Sequence, residues 1–86
     1  MSYQVELAPA AVRQVKKLPA DIQQKVVAKL EELAVNPRPD GVVKLEGAED
    51  LYRVRLSCYR IVYQIQDDLL LVTVVKVKHR RDVYRS

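Results

Sequence analysis

Six residues, Asn36-Pro37-Arg38-Pro39-Asp40-Gly41, most constrain what this chain can fold into. Two prolines and a glycine packed this closely cannot run through the inside of a helix or of a central strand. The apolar pattern also changes character across them. Before the break, Val12, Val15 and Leu18 recur at helical spacing behind Pro9, whose fixed φ suits a first helical turn. Pro19 punctuates, and Ile22, Val26, Leu30 and Leu33 then form one stripe. Gln23, Lys25, Glu31 and Glu32 take the opposite side, as on a helix lying against a core. The tight connection between these helices predicts an antiparallel helical hairpin. Ahead of them, Ser2 to Leu7 alternates, with Tyr3, Val5 and Leu7 on one face, and predicts a short strand.

After the break the period is two. Leu51 to Leu56 places Tyr52, Val54 and Leu56 on one face, and Tyr59 to Ile65 places Tyr59, Ile61, Tyr63 and Ile65 on one face. Asp67-Asp68 suits a turn. Leu69 to Val77 is a long valine-rich strand whose weak alternation predicts a central position covered on both faces. The expected fold class is α+β in the order β-α-α-β-β-β, an antiparallel β-sheet with an N-terminal helical hairpin packed on one face. At 86 residues the chain suits one domain, spanning 1–86, with one sheet and one layer of helices as its core.

Several function classes drop out on composition. A single cysteine, Cys58, and a single histidine, His79, exclude an internal disulfide, a thiolate or multi-histidine metal cluster, and two-histidine ribonuclease chemistry. Two glycines, Gly41 and Gly47, do not make a phosphate-cradling loop. The basic strands carry no close carboxylate pair for glycosidase chemistry. The start, Met1 to Glu6, lacks the basic-then-apolar order of a signal peptide, and no apolar run reaches the about 18 residues of a membrane span. A cytoplasmic protein with no metal and no cofactor is expected.

The net charge of +4 is unevenly distributed. Residues 1–41 hold six Lys/Arg against five Asp/Glu, and Leu51 to Gln66 hold three arginines and no acid. Lys76 to Arg85 hold five basic residues against one acid, Asp82. If these basic segments meet, they form a surface suited to phosphate backbones or an acidic protein; scattered solvated charge is the plainer alternative.

Alternation puts Arg53 and Arg55 on the face opposite Tyr52, Val54 and Leu56. With Ser57-Cys58 as a two-residue hairpin loop, Leu56 pairs with Tyr59 and Arg55 with Arg60. All three arginines then project together, away from the helices. Like charges set opposite one another destabilise a sheet by roughly 0.2–1 kcal/mol, so tolerating them implies an anion to be held. The competing view is that arginine stems merely cover the sheet while their heads stay in water. As a phosphate ligand arginine offers a fixed fork of donors and a permanent charge, able to stabilise a pentavalent transition state. His79 to Arg85 adds cations, an imidazole and a phenol just after a strand. Nearby positive charge favours the ionised form of Tyr84, as a general base, while a stacking platform or a tail tyrosine packed on the sheet are the alternatives. His79 could carry a proton near neutral pH, though a lone histidine at a strand end is commonly structural. Cys58 is incidental.

Lys44-Leu45-Glu46-Gly47, Leu51-Tyr52-Arg53-Val54-Arg55, Tyr59 to Ile65 and His79-Arg80-Arg81-Asp82-Val83-Tyr84 together resemble the RelE/ParE superfamily of toxins over essentially the whole chain. The resemblance implies a compact microbial-RNase-like fold and ribosome-dependent cleavage of mRNA in the A site. In RelE-like enzymes the 2′-hydroxyl attacks the adjacent phosphate and leaves a 2′,3′-cyclic phosphate and a 5′-hydroxyl. By position, Arg53, Arg55, Arg60, Arg80 and Tyr84 match the catalytic set, with Tyr84 activating the 2′-hydroxyl and the arginines binding phosphate and supporting the leaving group. Lys44, Lys78, His79 and Arg81 are the accompanying candidate RNA contacts. Relatives often carry lysine at 53 and 55, and arginine there implies an electrostatic rather than acid–base role. Ending at Ser86, the chain lacks the C-terminal helix some relatives carry, which implies an apolar groove for an antitoxin. The resemblance thus implies an acidic cognate antitoxin and mRNA on the ribosome as partners. ParE-like members poison DNA gyrase and generally lack the set retained here; a non-catalytic basic module binding RNA or protein is the remaining alternative.

Overall fold

The computed structural model describes residues 2–47 and 50–83, with backbone alone at 82 and 83. In chain order, its elements are β1 (Gln4–Leu7), α1 (Pro9–Lys16), α2 (Ala20–Val35), β2 (Val43–Lys44), β3 (Leu51–Leu56), β4 (Tyr59–Gln66), β5 (Leu71–His79) and α3 (Arg80–Val83). A 3-10 turn, Asp67–Leu69, joins β4 to β5. The prolines act where their chemistry directs. Pro9 opens α1 in its first turn, and Pro19 caps α2, its carbonyl accepting from the Gln23 N–H at 2.9 Å. Asn36 closes α2, and the proline-rich segment carries the chain to the sheet.

The sheet order is β1-β5-β4-β3-β2. The meander β2 to β5 is antiparallel throughout, as expected. The expectation of an all-antiparallel sheet fails at β1, which pairs with β5 in parallel from Gln4↔Leu71 to Leu7↔Val74. Helix α2 returns the chain to the end of the sheet where β1 began, its Ala34 carbonyl accepting from the Tyr3 N–H at 2.7 Å. The proline-rich segment then leads it back along the sheet. Strand β2 therefore sets off against β1, and three reversals later β5 runs along it. The two-residue strand β2 was too short to register as an alternating pattern.

The core occupies one face. Val54, Ile61, Tyr63, Ile65, Val72, Val74 and Val77 pack there with Ala11 of α1 and Leu33 of α2. Each fully buried large side chain of this set contributes about 1.5–3 kcal/mol. The predicted stripe of α2 is present, with Val26 and Leu33 buried. On α1 the buried residue is Ala11, while Val12 and Val15 are partly covered. Strand β5 is not covered on both faces. Val72, Val74 and Val77 are buried while Leu71 and Thr73 remain partly exposed, because both helices lie on the same side.

A β-bulge interrupts the β4–β5 ladder. Val62 pairs with Lys76 and Tyr63 with Val74, leaving Val75 as the extra residue. Strand β1 has ended by then, its last tie being the Ala8 N–H to the Val74 carbonyl at 2.8 Å. Gln14 of α1 stands in for the missing strand. Its Oε1 accepts from the Val77 N–H at 2.7 Å.

Candidate functional site

The β3–β4 hairpin closes through Ser57-Cys58, with Leu56↔Tyr59 and Arg55↔Arg60 in register. Ser57 adopts φ 55°, the left-handed conformation a two-residue loop demands of its first residue. Arg53, Arg55 and Arg60 therefore share the face away from the helices. With Gly41 and Val43 they line a cleft of about 160 Å³. Gly41, at φ 88°, is the residue that lets the proline-rich segment turn into this wall.

Arg60 sits at the centre of the charge. Its direct neighbours are Arg55 on β3 and Lys78 on β5, so one row across the sheet carries three cations. Arg60 Nη1 is buried and lacks a hydrogen-bond partner, the one such side-chain nitrogen or oxygen among the described residues. The ion pairs among the described residues, Lys29–Glu32 and Arg38–Asp67, leave this row unneutralised. An unmet buried donor costs free energy, and an anion in the cleft supplies what it lacks.

The remaining expected residues separate. Lys78 joins the arginine face through its pairing with Arg60. Arg80 is exposed at the start of α3, and its N–H donates to the Cys58 carbonyl at 2.7 Å, tying α3 to the arginine hairpin. Arg81 is exposed as well. Lys44 pairs with Tyr52, which puts it on the opposite face of the sheet from Arg53. His79 likewise pairs with Tyr59 on that opposite face, edge-on to its ring at 5.2 Å, and its Nδ1 accepts from the Arg81 N–H at 3.2 Å. Register thus removes Lys44 and His79 from the arginine face. Tyr84 lies outside the described residues.

A second polar constellation was not anticipated. Arg38, from the proline-rich segment, grips Asp67 with two nitrogens at 3.1 and 2.8 Å and lies over the Tyr52 ring at 5.2 Å. The Tyr3 hydroxyl donates to the same carboxylate at 2.7 Å, and Tyr63 donates to the Pro37 carbonyl at 2.7 Å. Hydrogen bonds from Arg38 and Tyr3 hold Asp67 down to about 2, and burial pushes Tyr63 up to about 12. This cluster binds the segment after α2 to the far end of β3 and β4 from the hairpin. Its chemistry is structural, since each donor already has its acceptor. No local sequence signal marks it, because Arg38 and Asp67 are distant in the chain.

Comparison with known proteins follows the same lines. Residues 5–84 match the family described as ParE toxin of type II toxin–antitoxin system, parDE. An Escherichia coli RelE-like toxin protein is 39% identical, covering 98% of this chain and 92% of its own length. The mRNA interferase toxin RelE of Escherichia coli strain K12 is 33% identical at the same coverage. In three dimensions the chain resembles the crystal structure of the archaeal RelE–RelB complex from Pyrococcus horikoshii OT3. The TM-score is 0.84 at 30% identity, over 93% of this chain and 97% of that one. Sequence, fold and the matched length agree that this chain belongs to the RelE/ParE family of toxins of type II toxin–antitoxin systems.

Proposed function

We propose that this chain is a RelE-like endoribonuclease that cleaves mRNA in the ribosomal A site and so inhibits translation. The observation that carries this reading is the cleft of Arg53, Arg55 and Arg60, with Arg60 Nη1 buried and unpartnered inside it. In the proposed reaction the RNA 2′-hydroxyl gives its proton to the Tyr84 phenolate, and the 2′-oxygen bonds to phosphorus. The bond from phosphorus to the 5′-oxygen breaks, leaving a 2′,3′-cyclic phosphate and a 5′-hydroxyl that takes up a proton. The three arginines hold the phosphate and offset the charge gained by its equatorial oxygens, and Arg80 supports the departing 5′-oxygen. In this reading positive charge is supplied by guanidinium groups rather than by a metal ion.

The mRNA interferase name of its Escherichia coli relative supports this reading, as does the antitoxin found with the archaeal one. A co-expressed acidic antitoxin is the proposed natural restraint on the toxin. The apolar groove between β1 and α2, lined by Val5, Leu7, Val27, Leu30 and Ala34, offers it a seat. No helix among the described residues is long and apolar enough to cross a membrane.

The test is controlled expression followed by mapping of mRNA 5′ ends, beside Arg60→Ala and Tyr84→Phe variants. New ends inside translated codons, falling on the order of 10²–10³-fold in the Arg60→Ala variant, are expected. Growth arrest with intact mRNA and broken DNA refutes cleavage in favour of gyrase poisoning.

A further inference from the structure

The bulge in β5 changes which side chains reach the arginine face. Upstream of it, Val72 and Val74 point to the core. Unbroken alternation would send Lys76 and Lys78 after them and turn Val77 outward. The extra residue at Val75 reverses the phase. Val77 is buried instead, and Lys76 and Lys78 come out beside the arginines, opposite Val62 and Arg60. Bulges near functional sites commonly re-aim side chains in this way. This one is braced at the edge of the sheet by Gln14, through the Val77 N–H.

Lys76 then occupies a defined place. Val62, between Arg53 and Lys76 in one row of the sheet, is 6% exposed although α1 and α2 pack on the other face and it lies outside the core cluster. The paired Arg53 and Lys76 flank it directly. Among the described residues no carboxylate pairs with Lys76. It stands two strands from Arg53, about 10 Å across the sheet, and two residues from Lys78, about 7 Å along it. A single phosphate in the arginine cleft does not engage it. The next phosphate of an extended strand leaving the cleft across β4 and β5 does.

Resting on the ribonuclease reading, we infer that Lys76, turned outward by the Val75 bulge, binds the RNA phosphate adjacent to the scissile one. Together with Lys78 it forms a flanking subsite that sets the path of the strand across the open face. Its contribution is to affinity and not to bond breaking, because it lies outside the cleft that holds the reacting group.

The test uses the full chain and a short single-stranded RNA carrying a 2′-deoxy sugar at the cleavage position. Its affinity is read by fluorescence anisotropy between about 50 and 200 mM salt. Losing one single-strand phosphate contact lowers the slope of log affinity against log salt by about 0.7. Lys76→Gln is expected to show that loss, Lys76→Arg to restore the slope, and Lys25→Gln, an exposed charge on α2, to behave as wild type. A Lys76→Gln slope equal to that of Lys25→Gln overturns the inference while leaving the ribonuclease reading intact. A wild-type protein without salt-dependent affinity for this RNA, or an Arg60→Ala variant that binds it as tightly as wild type, overturns this inference. The ribonuclease reading falls only if no new mRNA ends appear inside translated codons.

Discussion

Replacing Arg60 with methionine should make the protein more stable while abolishing its toxicity. Arg60 faces Arg55 on one side and Lys78 on the other, and each like-charge opposition costs roughly 0.2–1 kcal/mol. Its buried, unpartnered Nη1 adds about 1–3 kcal/mol of unmet desolvation. The other guanidinium nitrogens keep part of their hydration, because Arg60 is only half-buried. The lower end of these ranges therefore applies, a gain of about 1.5 kcal/mol. Methionine keeps an unbranched apolar stem over the sheet. For a domain of this size the midpoint of thermal unfolding should rise by on the order of 10 °C. The assay is urea unfolding followed by circular dichroism, at about 0.01 M and about 1 M salt, where the screening length falls from about 30 to about 3 Å. Wild type should gain more from salt than the variant does, with m-values unchanged. A less stable Arg60→Met protein, or one with the wild-type salt response, refutes the idea that this face carries unrelieved positive charge.

Three further outcomes follow from the polar ties. Tyr63→Phe leaves the Pro37 carbonyl without its donor and should cost about 1–3 kcal/mol in urea unfolding. In wild type, Tyr63 stays protonated in the fold up to about 12, whereas the unfolded phenol ionises near 10. Its stabilising effect is thus full below pH 10 and fades, by up to about 3 kcal/mol, as pH rises to 12, a slope the Phe variant should lack. Asp67 titrates at about 2 in the fold against nearly 4 unfolded, so its contribution is present above pH 4 and lost as pH falls towards 2. Asp67→Asn should flatten that acid limb, as read by fluorescence-monitored unfolding across pH. Gln14→Leu removes the acceptor of the Val77 N–H and should cost about 1–3 kcal/mol, with faster hydrogen exchange at that amide.

Much of this molecule is legible in its sequence wherever local chemistry leaves one choice. Prolines at 9, 19, 37 and 39 bracket the helices, and two-residue closure at Ser57-Cys58 fixes Arg55 against Arg60. Direction was harder to read. Whether β1 runs with or against β5 depends on how many times the chain reverses between them, and β2 is too short to announce its reversal. The faces of Lys44 and His79 depend on pairing with strands whose register no local pattern gives. The face of Lys76 has no local signature because it depends on the bulge. The valines of Leu71 to Val77 disguise the change of phase, since an apolar residue suits either side of an uninterrupted strand. Arg38 gave no sign of its role because its carboxylate partner lies beyond the whole β3–β4 hairpin.

The two faces of the sheet carry opposed demands within the same strands. Alternate residues of β3 and β4 build the core, while their neighbours accumulate cations that repel one another. Stability is therefore supplied almost entirely from the helix side, and the open face draws on it. Repulsion on the open face is not an imperfection that better packing could remove. An RNA backbone bound there would neutralise it, and relief of the repulsion would add to the attraction of each phosphate for its cation. Neutralising the face by mutation yields a more stable fold with less reason to bind. Gln14 and the Val75 bulge join the two sides. There, a hydrogen bond made at the edge of the sheet supports the change of phase that turns Lys76 and Lys78 outward.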